Sequence, residues 1–278
     1  MKQLAMLAGI CVLMTTTSCL FFDEDPFCEN GRGDRVTEIL NLPEFTGIHL
    51  GISATVFLKQ GAEQKVEVFA QENIIEILER DVSNGVWDIE FEKCVFDFKD
   101  VEITITLTDL DEVKISSSGD IIGLDEFEVD DVELAISGSG DMELDLVANS
   151  VDVRISGSGD MELDLVAETI DTRISSSGDF DADIDADDLD VKITGSGDCQ
   201  VEGTVEDLEV SISSSGDFHG FDLESHDAML RISGSGDIQC WVTDTMDVTI
   251  SGSGSVYYIG YPSIDVEITG SGNLVDKN

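Results

Sequence analysis

The chain has 278 residues, and its 60 acidic residues against 14 basic ones give a formal net charge of −46. Such a charge repels nucleic acid and anionic headgroups, so it excludes a DNA-binding or peripheral-membrane protein. Hydrophobic residues still make up 41% of the chain, which is enough for a buried core and argues against intrinsic disorder.

The first residues predict an export signal. Lys2 supplies a positive charge, and residues 4–14 (LAMLAGICVLM) form an apolar run that is too short to span a bilayer. We therefore predict a signal peptide over residues 1–18.

Small residues precede Cys19, as they do at the processing site of a bacterial lipoprotein. Cys19 is therefore the predicted lipid anchor, followed by a tether over residues 19–35. Because Thr16 stands where such sites usually have leucine, cleavage as an ordinary signal peptide is the alternative. The acidic residues 23–25 favour an outer-membrane lipoprotein exposed at the cell surface.

Processing at Cys19 would leave four further cysteines able to pair in an oxidising compartment. They are Cys28, Cys94, Cys199 and Cys240. Their spacing does not fix the pairing, and we favour a Cys28–Cys94 disulfide, which would attach the tether to the first part of the fold. No Cys-x-x-Cys or His/Cys spacing predicts zinc.

Residues 36–112 alternate apolar and polar side chains without a repeated motif, as in Val101–Leu107. We predict that they form irregular first coils of the structure that follows. Glu72–Glu79 is the one segment that predicts a short helix, which would cover the open end of these coils.

From residue 113 onward the chain repeats itself. The pentapeptide S-[SG]-S-G-D, or a close variant, begins at Ser116, Ser137, Ser156, Ser175, Thr194, Ser213, Ser233, Ser251 and Thr269. Apolar residues alternate on both sides of each copy, which predicts a strand with one buried face. We attribute the glycines to backbone conformations that other residues resist, so each motif is a predicted tight corner.

These features predict an all-β protein, a single-chain parallel β-helix with coils of about 19 residues over residues 113–278. Opposite charges support the same register. Basic residues recur six positions before the last motif residue, and acidic residues recur two positions before those. We expect two neighbouring columns of opposite charge.

With the repeat established, the chain resembles the putative auto-transporter adhesin head GIN domain family of exported bacterial lipoproteins. The resemblance covers about residues 36–278. It rests on the serial corners together with Phe45-Thr46-Gly47-Ile48, residues 61–66 (GAEQKV), Asn73, Val82-Ser83-Asn84-Gly85 and Val101–Leu107. It implies a right-handed parallel β-helix and an adhesive or cell-envelope role, without a known ligand.

Two sets of acidic residues are candidate cation sites. The first is the column of motif aspartates, which either binds calcium or accepts backbone N–H groups, each within its own corner. The second is an outward patch where two acidic columns coincide, and it is our tentative metal site. Its members are Glu143, Asp145, Glu162, Asp164, Asp181 and Asp183. A solvated acidic face is the alternative, and no cofactor other than calcium is expected.

Phe221 and Trp241 replace acids on the same columns toward the C-terminus, in our interpretation, and form a candidate aromatic surface for a sugar or protein.

We find no nucleophile with a base, metal triad or phosphate loop, and we predict no catalysis. The leading hypothesis is a structural or adhesin-like module that binds a protein or glycan at the cell surface. A calcium-binding envelope protein and a polysaccharide-acting β-helix enzyme are the alternatives. The membrane is contacted only through the lipid anchor, and homo-oligomers through the open ends remain an option.

Overall fold

The computed structural model describes residues 28–278 and shows an almost all-β chain. The predicted signal peptide, the lipid-anchor residue Cys19 and the acidic residues 23–25 lie outside the described residues. The single described helix, α1 (Glu72–Ile75), has four residues. No helix in the described part of the chain is therefore long and apolar enough to cross a bilayer.

The strands fall into an irregular N-terminal set and a repeated set. The N-terminal set is β1 (Glu29–Asn30), β2 (Arg35–Leu40), β3 (Gly47–Leu50), β4 (Thr55–Gln60), β5 (Lys65–Gln71), β6 (Val82–Ser83), β7 (Val86–Ile89), β8 (Val95–Phe96) and β9 (Glu102–Leu107). The repeated set is β10 (Glu112–Ile115), β11 (Asp120–Gly123), β12 (Phe127–Glu128), β13 (Asp131–Ile136), β14 (Met142–Ile155), β15 (Met161–Ile174), β16 (Phe180–Ile193), β17 (Cys199–Ile212), β18 (Phe218–Ile232), β19 (Ile238–Ile250), β20 (Val256–Ile259), β21 (Ser263–Ile268) and β22 (Leu274–Asp276).

The repeated strands stack in parallel as a β-solenoid of about nine turns, which confirms the predicted fold class. Met142 pairs with Met161, and Met161 pairs with Phe180, so neighbouring strands are offset by one 19-residue repeat. Each of β14–β19 turns a second corner, marked in β15 by two consecutive exposed residues, Glu168 and Thr169. We call the stack of segments after the motif corners sheet 1, and the stack before them sheet 2.

The motif glycines allow neighbouring corners to approach closely. The prediction that they adopt backbone conformations which other residues resist is wrong. Among the described glycines, positive φ angles occur at Gly33, Gly85, Gly203 and Gly260, none of which lies in a motif corner. A Cβ atom at Gly159 would instead overlap the carbonyl oxygen of Gly140 in the coil before it, and this overlap recurs from corner to corner.

The second motif position is less restricted, because a serine there can bond to the coil before it. The hydroxyl of Ser176 donates to the carbonyl of Gly157, and that of Ser214 donates to Gly195. The fourth position is glycine in all nine corners. A Cβ atom at Gly157 would overlap the carbonyl oxygen of Gly138 as closely as one at Gly159 overlaps that of Gly140. The second position is nevertheless serine in three of the nine corners, whereas the fourth never is.

Residues 36–112 contain coils whose order in the stack differs from their order in the chain. β3 lies between β7 and β10, and β4 lies between β9 and β11, all in parallel. The coil that contains β7 and β9 thus lies farther from the repeats than the coil of β3 and β4, which precedes it in the sequence. Antiparallel strands then end the stack: β5 pairs with β9, β2 pairs with β5, and β6 pairs with β7.

The N-terminal end of the core is closed by α1 and the turn after it. Ile74, Ile75 and Leu78 are each 1% exposed and belong to the core. The buried indole of Trp87 donates from Nε1 to the carbonyl of Glu79 at 3.0 Å. The segment that predicts a helix therefore does cover this end, although only its first turn is helical.

The four cysteines in the described part of the chain divide into one pair and two buried thiols. Cys28 and Cys94, the pair that the sequence analysis favoured, form a disulfide with their Cα atoms 4.5 Å apart, beside the short parallel pair β1–β8. Cys199 and Cys240 lie free in the core. Burial raises the pKa of both thiols, to about 12 for Cys240, so neither is reactive in the folded state.

Candidate ligand-binding face

The motif aspartates form a ladder of hydrogen bonds between coils. The carboxylate of Asp141 accepts from the backbone N–H of Asp160 at 2.8 Å, and that of Asp160 accepts from Asp179 at 2.9 Å. The same bond recurs from Asp120 to Asp237 at 2.7–3.1 Å. Each acceptor thus serves the next corner, which corrects the expectation that each serves its own. These bonds explain the aspartates without a metal.

The outer face of sheet 2 carries the two predicted columns of opposite charge. Arg154 contacts Asp152 of its own coil at 2.8 Å and Glu133 of the coil before it. Arg173 contacts Asp171 at 3.3 Å and Asp152 at 3.4 Å in the same manner. Each arginine therefore joins two coils and compensates the acids beside it, whereas Asp190 and Asp247 further along sheet 2 form no ion pair within the described chain.

The outer face of sheet 1 carries acids at the same spacing, and from β14 to β17 it carries no lysine, arginine or histidine. The tentative metal residues lie in two adjacent columns of stacked strands, as predicted. Glu143, Glu162 and Asp181 form the first column, and Asp145, Asp164 and Asp183 form the second. Within the described chain none of these six side chains takes part in an ion pair.

The two columns continue toward the C-terminus and border a shallow groove of about 680 Å³, which we call the acidic groove. Its lining includes Glu162, Asp164, Asp181, Asp183, Gln200, Glu202, His219, Phe221, Asp222 and Gln239. Gln200, His219 and Gln239 are not among the site residues predicted from the sequence. Counting forward from Asp181 one repeat at a time would have identified them, because they occupy the same register position in the next three strands.

Two carboxyl groups in the acidic groove have raised pKa values. Partial desolvation raises the pKa of Asp164, and the neighbouring charges of Asp145, Asp183 and Glu162 raise it further. Desolvation also raises the pKa of Asp181, together with nearby acids, while His219 opposes the shift. The crowded negative charge makes this face favourable for a cationic group.

The two predicted aromatic residues do not share a column. Asp222 continues the acidic column opposite Glu202, and Phe221 is part of a bulge in β18. Trp241 pairs with Glu224, in a third column, and lies outside the residues that line the acidic groove. Phe221 alone therefore contributes an aromatic side chain to this groove.

Another acidic cluster lies at the second corner of β18 and β19. The ligand atoms of His226, Asp227 and Asp244 all lie within 4.8 Å of one another. The carboxylate of Asp227 accepts a backbone N–H from Thr245 at 3.1 Å and contacts the imidazole of His226 at 3.2 Å. These hydrogen bonds satisfy Asp227 without a metal ion. Calcium binding on sheet 1 stays a prediction.

Several solved structures of bacterial proteins have the same fold. A putative adhesin from Parabacteroides merdae aligns with a TM-score of 0.68 at 19% identity, over 91% of this chain and 100% of its own. A putative lipid binding protein from Parabacteroides distasonis aligns at 0.67 and 23%, over 90% and 100%. A putative adhesin from Parabacteroides distasonis aligns with a TM-score of 0.65 at 21% identity, over the same shares. At these identities the likeness shows the fold alone.

No curated protein sequence matches this chain. The family model described as "Putative auto-transporter adhesin, head GIN domain" matches residues 44–164 and again residues 164–262. These matches cover most of the solenoid, from β3 to the start of the last coil. The chain therefore belongs to the auto-transporter adhesin head GIN domain family, an adhesin-like family that indicates an exported or surface protein.

Proposed function

We propose that the protein is a lipoprotein displayed at the surface of the outer membrane, where it acts as an adhesin-like binding module without catalysis. Its family and the names of its structural neighbours favour binding over chemistry. The observation that carries the proposal is the contrast between the two sheets. On sheet 2 arginines pair with Asp152 and Asp171, whereas on sheet 1 no described base pairs with Asp164 or Asp183.

Uncompensated acids on a flat face are suited to a cationic ligand. Rows of carboxylates along stacked strands lie about 4.8 Å apart, so a polymer with repeated positive charges can contact several at once. The ligand class is therefore a basic protein segment or an amino-bearing glycan. Phe221 offers an apolar contact at one side of the same groove.

Binding of a hexalysine peptide and of a glucosamine hexamer tests this proposal. We expect at least one to bind, with an affinity that falls as salt rises. Asp164→Asn/Asp183→Asn removes two charges from the acidic groove and should weaken binding. Glu168→Gln/Asp187→Asn, which removes two exposed charges at the second corner, is the matched control. Equal loss in both variants would mean that overall charge, and not this face, attracts the ligand.

Calcium is a second candidate ligand for the same face, favoured by the raised pKa of Asp164 among three acidic neighbours. Thermal unfolding with and without calcium, at fixed ionic strength, separates specific binding from screening. A calcium-specific rise that disappears in Asp164→Asn/Asp183→Asn would support this candidate. An identical rise with magnesium and in the variant would remove it.

The anchor is tested separately. If Cys19 carries lipid, the protein should incorporate labelled palmitate and fractionate with the outer membrane, and external protease should degrade it on intact cells. Cys19→Ser should abolish all three signals. Unchanged palmitate labelling of this variant would contradict lipidation at Cys19.

A further inference from the structure

The last coil of the solenoid has an uncovered inner face. The inward side chains of β21, Ile264, Val266 and Ile268, are 39%, 45% and 41% exposed. Met246, Val248 and Ile250, which pair with them in β19, are at most 1% exposed. Each preceding coil is covered by the next repeat, but in the described structure no further strand lies over β21.

β21 also has an unpaired backbone edge. It pairs with β19 on one side, and no described strand pairs with the other. The strand is six residues long, and Pro262 precedes it without interrupting it. An unbroken strand edge of this length can accept another strand through backbone hydrogen bonds.

The charges on the outer face of β21 select among the partners. Glu267 follows Thr249 and Arg231 in the basic column of sheet 2, so the column ends in an acid. Asp265 continues the acidic column beside it. After Arg231 the sequence contains one basic residue, Lys277, which lies over the ring of Tyr257. Neither Asp265 nor Glu267 therefore forms an ion pair within the described chain.

This charge argues against a second copy of the chain as the partner. Two copies joined at β21 would bring Asp265 and Glu267 of each close to those of the other, and the net charge of each chain is −46. Like charges on directly opposed strands are destabilising. A strand with basic outward residues would instead repeat the ion pairs that Arg154 and Arg173 make between earlier coils.

We propose that β21 binds, by strand addition, an extended segment of another protein in which apolar side chains alternate with lysine or arginine. The apolar residues cover Ile264, Val266 and Ile268, and the basic residues pair with Asp265 and Glu267. This site lies at the end of the solenoid and is independent of the acidic groove.

A labelled peptide of sequence VRVKIRV tests the proposal by fluorescence anisotropy with the whole protein. We expect salt-sensitive binding that exceeds that of VVIVRKR, which has the same composition without alternation, and of the acidic peptide VEVDIEV. Val266→Lys places a charge on an already exposed inner position and should weaken binding about tenfold or more while the fold is retained. Circular dichroism checks the fold.

Charge reversal gives the decisive comparison. Asp265→Lys/Glu267→Lys should shift preference from VRVKIRV to VEVDIEV, whereas Glu168→Lys/Asp187→Lys, with the same change in net charge, should not. Equal binding of the two basic peptides, or no effect of Val266→Lys, would overturn the proposal. A salt-strengthened dimer in sedimentation velocity that Val266→Lys dissociates would also overturn it, because the partner would then be a second copy.

Discussion

The N-terminal region and the repeat region are stabilised in different ways. Residues 28–112 depend on contacts that occur once: a disulfide, antiparallel strands and the turn over Trp87. Residues 113–278 repeat one set of contacts in all but the last coils, namely a buried apolar face, a glycine corner and an aspartate bond. The first region closes one end of the core, and the second extends it. A defect at the closed end should therefore weaken mainly the N-terminal region, and a defect in one repeat should act mainly on that coil and its neighbours.

The largest expected effect is at the disulfide. Cys28→Ser/Cys94→Ser opens a crosslink that spans 66 residues, and the entropy of the longer unfolded loop predicts a loss of about 4 kcal/mol in the N-terminal region. Hydrogen exchange should show faster exchange in β2, β5 and β9 while β15–β18 keep their protection. Cys199→Ser is the control for a buried thiol without a crosslink. Uniform loss of protection would show that the two regions unfold together.

Gly159→Val should cost about 3 kcal/mol, because the new side chain overlaps the carbonyl of Gly140 and the stacked corners cannot separate without losing their bonds. Urea unfolding measures the loss. Gly157→Ser is the control at the second motif position, where Ser176 and Ser214 occur in other coils, and it should cost less than Gly159→Val although its Cβ also approaches the carbonyl of Gly138. Equal losses would mean that the position within the motif does not matter.

Thr172→Val should stabilise the protein by about 1 kcal/mol. Thr172 is 1% exposed in the core, its hydroxyl has no hydrogen-bond partner, and the equivalent positions in neighbouring coils are Val153 and Val191. A higher urea midpoint would show that repeat positions are interchangeable. Thr169→Val, on the exposed second corner, is the control, and it should leave the urea midpoint unchanged. A lower midpoint for Thr172→Val would show that the hydroxyl has a stabilising partner.

The smallest effect concerns pH and lies within the repeats. Desolvation and neighbouring acids raise the pKa of Asp164 and Asp181 in the folded state, so the folded protein binds protons at a higher pH than the unfolded chain. Stability should therefore rise as the pH falls from 7 toward the ordinary value of 3.8. Thermal unfolding should show this rise, and Asp164→Asn/Asp181→Asn should reduce it. A midpoint that falls over this range would contradict the assignment.

The sequence predicts the repeats well because each position recurs with one period. Alternating residues such as Met161 and Leu163 define the buried face, and Arg154 with Asp152 defines the register. The acidic columns of sheet 1 follow from the same period. The N-terminal coils have no such repeat. Nothing in the local sequence therefore indicates that β3 and β4 lie between the coil of β7 and β9 and the first repeat.

The remaining differences have equally specific causes. The bulge in β18 shifts Phe221 and Trp241 out of the columns that counting assigned to them. The reason for the motif glycines and the direction of the aspartate bonds both depend on distances between coils. Contacts of this kind are visible only when neighbouring coils are placed together, as for Gly159 with Gly140.

The aspartate ladder gives the solenoid a direction of assembly. Each carboxylate is positioned by its own coil and then accepts an N–H from the coil that follows in the chain, so a folded coil presents a ready acceptor to the next one. The closed N-terminal end can thus act as a template on which later coils add one at a time. A chain that crosses a membrane from its N-terminus would then fold in the order in which it emerges, without waiting for distant segments.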